Sequence, residues 1–226
     1  MGKKAVSSRE QNPGKEDKNG LTKGVQTRQR ILDAARRVFA RHPYHAASIR
    51  MIANEAGMEH GTIRYHFARK SEIFEEIVES GCEEMFQNNR KWIEETIGLA
   101  PDKGFSVYLD RFLDFYFNDP EPLQIINQNI SQVDKLETIP GYHHLIDLLT
   151  RSRNTFREAI PFEVDPQDIG RFTDTFNTLV INYVGASSCQ AGVLGVEPDS
   201  AEYRKWVKET LMFIMLPVLE KLMQRI

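Results

Sequence analysis

A chain of 226 residues, 41% hydrophobic and 27% charged, is long enough for a small domain beside a larger core. Its longest apolar run, Leu211–Leu219, is interrupted by Pro217 and falls well short of the roughly 20 residues of a bilayer span; with no signal-like segment, a cytoplasmic chain without a membrane partner is expected. The net charge of −3 conceals a basic head (residues 1–71, 15 Lys or Arg against 6 Asp or Glu) on an acidic body (residues 72–226, 14 against 26), the layout of a chain that meets a polyanion with one end.

Residues 1–22, rich in Lys, Ser, Asn and Gly, lack an apolar period and read as a disordered basic tail. Thr27–Arg41 reads as an amphipathic helix with Ile31, Ala34, Ala35, Val38 and Phe39 on one side and Arg30, Arg36 and Arg37 on the other. Ser48 is a good N-cap, and Ile49, Ile52, Ala53 and Ala56 repeat as one buried helical face. Gly57 stands where a left-handed C-cap suits glycine. A second short helix from about Glu59 carries His60, Thr62, Arg64, Tyr65 and His66, with Ile63 and Phe67 left to pack inward. Such a density of donors on two turns suits a helix entering a DNA major groove.

Beyond Ser71 the chain reads as all helix, broken at Pro and Gly. The expected helices are Ser71 to Ile97, Phe105 to Phe117 after a break at 101–104, Leu123 to Val133, and one from Pro140-Gly141 to Ile160. Asp165-Pro166 caps another, running to about Gly192, and Asp199 with Glu202 opens the last, to about Ile226. That last helix is apolar nearly all round, so it needs cover on more than one side.

The stretch from Thr27 to about Ile77 resembles the DNA-binding domain of the TetR family of bacterial regulators. The resemblance rests on TRxRIL…AA…F, S-I-x-x-I-A-x-E-A-G, G-T-I-x-Y-H-F and x-K-S-E-I-F at fixed spacing. Two departures are Pro43, where the family usually has Gly, and Arg64, where it usually has an aromatic residue. The resemblance implies an all-α protein of about nine helices: a three-helix helix-turn-helix DNA-binding domain (23–70) and a larger ligand-binding and dimerisation domain (71–226). It implies a transcriptional repressor, nucleoid-associated, that binds a palindromic operator in double-stranded DNA as a homodimer and is released by a small apolar or aromatic effector. Expected DNA contacts are Ser48, Arg50, His60, Gly61, Thr62, Arg64, Tyr65, His66 and Lys70, with Thr27 and Arg28 as phosphate neighbours; Arg50 and Arg64 are the candidates for base edges. Candidate effector contacts are Phe86, Trp92, Tyr108, Phe112, Phe115 and Tyr116, with Asn127, Gln128, His143 and His144 as polar partners, and Phe172 and Phe176. A second copy is expected to pack on Phe176, Val180, Tyr183 and Val184 of one helix and on Trp206, Leu211, Ile214, Met215, Val218 and Leu222 of the next.

The same residues leave two alternatives: an architectural or cell-division DNA-binding protein of this fold, or a ligand-binding protein with a vestigial DNA head. No cofactor, metal or enzyme is expected. His42 and His45 lack a third ligand at metal spacing, and the adjacent His143 and His144 are expected on different helix faces. Gly185-Ala-Ser187-Ser-Cys189 lacks the closing glycine and preceding strand of a nucleophile elbow.

Overall fold

The computed structural model describes residues 23–130 and 136–223; the basic tail, and the expected helix ends at Val133 and Ile226, lie outside them. The described residues form ten α-helices: α1 (Lys23–Arg41), α2 (Ile49–Ala56), α3 (His60–His66), α4 (Lys70–Glu94), α5 (Pro101–Asn118), α6 (Glu121–Ile130), α7 (Tyr142–Ala159), α8 (Pro166–Val180), α9 (Ser187–Leu194) and α10 (Ala201–Met223). A 3₁₀ turn, Leu136–Thr138, precedes α7.

α1 begins at Lys23 rather than Thr27, and three other boundaries differ from the sequence reading for reasons the fold supplies. The break at residues 101–104 is the first turn of α5: Pro101 takes the first helical position, where its missing N–H is not needed. The long helix stops at Glu94, and Gly98 turns the chain at φ 84°. The expected helix from 166 to 192 is two helices, separated by a π-helical turn over Ile181–Gly185. There α6 crosses so closely that a Cβ on Gly185 would stand 2.7 Å from the Leu123 carbonyl oxygen. The helix widens where another backbone needs the room.

Two cores result. In the head, Ile31, Phe39, Ile52, Ile63 and Phe74 are buried together, and Ile125 of α6 and Ile139 complete the cluster. The head is thus sealed by the body, through α6 as well as α4. In the body, Trp92, Leu109, Phe112, Tyr116 and Phe176 form the aromatic centre, flanked by Tyr203, Val207, Leu211 and Met215 of α10. Cys82 is buried, and burial pushes its thiol up to about 12, which makes it a small apolar core residue. No helix among the described residues is long and apolar enough to cross a membrane.

Candidate nucleic-acid interface

The helix-turn-helix is set by local chemistry. Ser48 Oγ accepts the Met51 amide at 3.3 Å, as an N-cap does. Gly57 takes φ 63°, and the Met58 amide returns to the Ala53 carbonyl at 3.0 Å, closing α2 with a glycine C-cap. Ile63 is fully buried and pins α3 against the head core. The opposite side of α3 leaves His60, Gly61, Arg64 and Tyr65 exposed, Tyr65 at 86%, with Thr62 and His66 half-buried at the flanks. Tyr65 and His66 meet edge to face.

The basic residues of the head divide sharply. Arg37 and Arg41 both hold Glu55 of α2, and their hydrogen bonds keep its carboxyl below the usual carboxylate range. Arg36 bridges to Asp119 and Glu121. Arg28 is clamped by Glu76 of α4 and lies over the Phe67 ring. Thr27 Oγ1 donates to its own helix, at Lys23 O. Lys70 points inward: its ammonium donates to the Tyr44 carbonyl at 2.5 Å and the Ala47 carbonyl at 2.8 Å and sits over the Tyr44 ring. Burial holds it below the ordinary lysine range. By contrast Arg50, Arg64 and Arg69 are exposed, and no ion pair among the described residues engages them. Arg69 was not among the expected contacts. It and Lys70 are neighbours in sequence, and only the fold reveals that the first faces out and the second in.

One further residue escaped the sequence reading. Asn129, on the last turn of α6, is 4% exposed and is the one buried polar residue among those described. Its Oδ1 accepts the Tyr44 amide at 2.8 Å, and its Nδ2 donates to Ile125 O at 2.8 Å. It fastens the loop after α1 to the body.

The body holds two adjoining cavities of about 480 and 310 Å³. The larger lies among α4, α5, α7 and α8 and has no charged side chain in its wall; its polar groups include Asn89, Tyr108, Ser152, Thr173 and Asn177. Tyr108 donates to Asn89 Oδ1 at 2.7 Å, and burial raises its phenol well above the usual range. Asn89, Tyr108, Ser152, Phe176 and Asn177 border both cavities. Of the expected pocket residues, Tyr108 and Phe176 face both, Phe172 the larger, and Trp92, Phe112 and Tyr116 the smaller. Phe86, Phe115, Asn127, Gln128 and His143 line neither. Phe86 instead lies under the Arg151 guanidinium, Phe115 packs on Trp92 and Tyr116, and His143 is at the surface.

Six of the residues expected to meet a second copy, Phe176, Val180, Val184, Leu211, Met215 and Leu222, are buried in the chain's own core. Tyr183 and Trp206 are half-buried, edge to face with each other. Ile214 and Val218 do stay exposed, and beside them Phe213 is 83% exposed. The uncovered apolar face of α10 therefore runs through Phe213, Ile214, Pro217 and Val218.

Residues 31–77 match the family model for bacterial regulatory proteins of the tetR family. The chain is 42% identical over 52 residues to the transcriptional repressor AcnR of Corynebacterium efficiens, covering 23% of this chain and 28% of that protein. It thus spans little more than a quarter of that relative's length. It is 28% identical over 163 residues to the fatty acid metabolism regulator protein of Bacillus subtilis, covering 67% of this chain and 82% of that one. The crystal structure of the Bacillus subtilis transcriptional regulator FadR in complex with stearoyl-CoA superposes with a TM-score of 0.58 at 15% identity, over 88% of this chain and 98% of that one, a likeness of fold. With the capped helix-turn-helix and the all-helical body in place, residues 31–77 match the tetR family of bacterial regulatory proteins, and the chain as a whole shares the fold of such regulators.

Proposed function

We propose that the protein is a transcriptional repressor that reads a palindromic operator as a homodimer and lets go when an apolar effector fills the body. The observation that carries this reading is the outer face of α3: among the described residues, His60, Arg64 and Tyr65 stand free of the protein's own ion pairs, on a helix pinned by the fully buried Ile63 and placed by the glycine turn that closes α2. Arg64 and Arg50 reach base edges, while Thr62, Tyr65, His66 and Ser48 hold the phosphates. Arg69 joins them as a phosphate contact, in the role expected of Lys70. Thr27 and Arg28 lie beside the backbone, Arg28 as an anchor to α4.

The partner copy covers Phe213, Ile214, Pro217 and Val218. A two-fold axis there presents two α3 helices to one side of the duplex, a helical turn or a multiple apart. The effector is elongated and mainly apolar, because the paired cavities offer hydrogen bonds but almost no charge. The likeness to FadR with stearoyl-CoA favours a fatty-acyl compound, its chain passing Tyr108 and Phe176 from one cavity to the other. Filling them shifts α4 and α6, both of which are fastened to the head, and operator affinity falls by the ligand's preference for the shifted state.

The test is selection of binding sites from random duplex DNA at several salt concentrations, followed by titration of the recovered duplex with long-chain acyl-CoA. One palindromic motif, lost on adding ligand, supports the reading. Salt-sensitive binding with no recovered motif moves the architectural alternative ahead.

A further inference from the structure

α4 and α7 lie side by side, and their facing residues keep step. Arg151 of α7 holds Glu83 of α4 at 2.7 Å. Eight residues earlier on each helix, His143 stands opposite Glu75. Asp147, which Arg151 also reaches at 3.2 Å, comes between, level with Glu79 in this register. Both helices therefore run the same way along this face, and the start of α7 lies against the second turn of α4.

Gly141 makes that approach possible. It is at φ 73°, and a Cβ there would stand 3.3 Å from Glu75 Cα and 3.4 Å from Glu75 Cγ. With the chain drawn in so tightly, the first turn of α7 brings both histidines over α4. Their rings lie 4.1 Å apart, tilted by 37°, although adjacent residues on an undistorted helix diverge. The Glu75 carboxylate and a nitrogen of each imidazole all fall within 4.8 Å of one another. No hydrogen bond or ion pair among the described residues occupies these three side chains.

We propose that Glu75, His143 and His144 form a divalent transition-metal site that clamps α4 to α7. Two imidazoles and one carboxylate are the donor set that suits Zn(II), Co(II) or Ni(II); Mg(II) and Ca(II) want oxygen. Ligands on a metal at about 2.0–2.2 Å stand roughly 3.3 Å apart in a tetrahedron. The three side chains are exposed or half-buried, so small rotations about their side-chain bonds close the gap without moving either helix. Water completes the coordination. Glu79 and Asp147, a turn away, add negative charge that favours a cation, and Arg151 is a further turn off, already bound to Glu83 and Asp147. The site is one residue from Glu76, which holds Arg28 of α1, so a bound metal stiffens the turn of α4 that carries the head.

The test is titration of the untagged full chain with Zn(II) alone, read by competition with a chromophoric chelator and by thermal melting, beside Glu75→Gln and the pair His143→Ala/His144→Ala. Wild type should take up one Zn(II) per chain and melt higher with it. Glu75→Gln should weaken uptake roughly tenfold or more, and the histidine pair should lose both uptake and the thermal shift. All three side chains are at the surface, so the variants without metal should melt with wild type. Equal Zn(II) uptake by wild type and the histidine pair, or no uptake by wild type, would overturn the site. Neither readout uses DNA, so the site stands or falls apart from the regulator reading.

Discussion

Asn129→Ala isolates the fastening between head and body. The substitution leaves the Tyr44 amide, now bonded at 2.8 Å, without an acceptor at a place where the partner side chain was 4% exposed. An orphaned buried donor costs about 1–3 kcal/mol. The second bond, from Nδ2 to Ile125 O, adds little, because that carbonyl keeps its place in the α6 ladder. For a chain of this length about 1 kcal/mol corresponds to roughly 2–4 °C, so the midpoint should fall by several degrees, with about 2 kcal/mol as the central figure. Asn129→Asp separates the hydrogen bond from the volume. Its carboxylate still accepts from Tyr44, but its other oxygen faces the Ile125 carbonyl with no proton to offer. Burial raises the folded pKa of such an acid. The cost is then full at neutral pH and is relieved as pH falls through that raised value, when the protonated oxygen donates again. Thermal melts from neutral to mildly acidic pH read both effects. If Asn129→Ala melts with wild type, and Asn129→Asp shows no recovery in acid, the amide is not a fastening and α6 is held to the head by Ile125 and Arg36 without it.

Other outcomes follow from the same geometry. Arg64→Ala should weaken binding to the selected operator by about 1–3 kcal/mol and leave scrambled duplex nearly unaffected; anisotropy titrations showing equal loss on both would make Arg64 a phosphate contact. Phe213→Glu should drive the protein to monomer in sedimentation, since each of two copies loses about 1.5–3 kcal/mol of burial, a loss of roughly two orders of magnitude or more in dimer affinity; an intact dimer would place the interface elsewhere. Glu55 is held below the usual carboxylate range by Arg37 and then Arg41, so its contribution is present above the ordinary carboxylate range and lost as pH falls through the lowered folded value. Glu55→Gln should therefore lower the melting point slightly at neutral pH, by less than about 1 kcal/mol for so exposed a pair, and the gap should close in acid; a gap independent of pH would refute the pairing.

The head was legible because its signals are local. Ser48, Gly57 and the apolar period of α2 each specify their own few residues, and the cap bonds and the φ of Gly57 are as expected. What escaped depends on contacts across the chain. The π-helical turn at 181–185 exists because α6 crosses at Leu123, and nothing within residues 166–192 announces it. The apolar character of α10 was visible, but a helix apolar on every side does not say which side its own core takes. α5 and α8 claim Leu211, Met215 and Leu222, leaving Phe213, which was not among the residues expected to meet a second copy. Likewise His143 and His144 were read as diverging, because the close approach at Gly141 that brings them over α4 is invisible without α4 in place.

The fastenings bear on how a filled cavity reaches the head. Arg28–Glu76 and the Lys70 bonds to Tyr44 and Ala47 tie the head to α4; Arg36–Glu121 and Asn129–Tyr44 tie it to α6. The larger cavity is walled by Asn89 and Ile93 of α4 and touches no residue of α6, whereas the smaller is lined by Leu123, Ile126 and Ile130 of α6. A ligand confined to the larger cavity therefore reaches the head chiefly through α4, whose Asn89 and Ile93 stand about five to six turns from Lys70 at 3.6 residues per turn. One long enough to pass Phe176 also presses on α6, two turns of which separate Leu123 from Asn129. Chain length, rather than binding strength alone, then decides the response: a short apolar ligand that binds the larger cavity tightly should leave operator affinity nearly unchanged, because affinity common to both states shifts nothing.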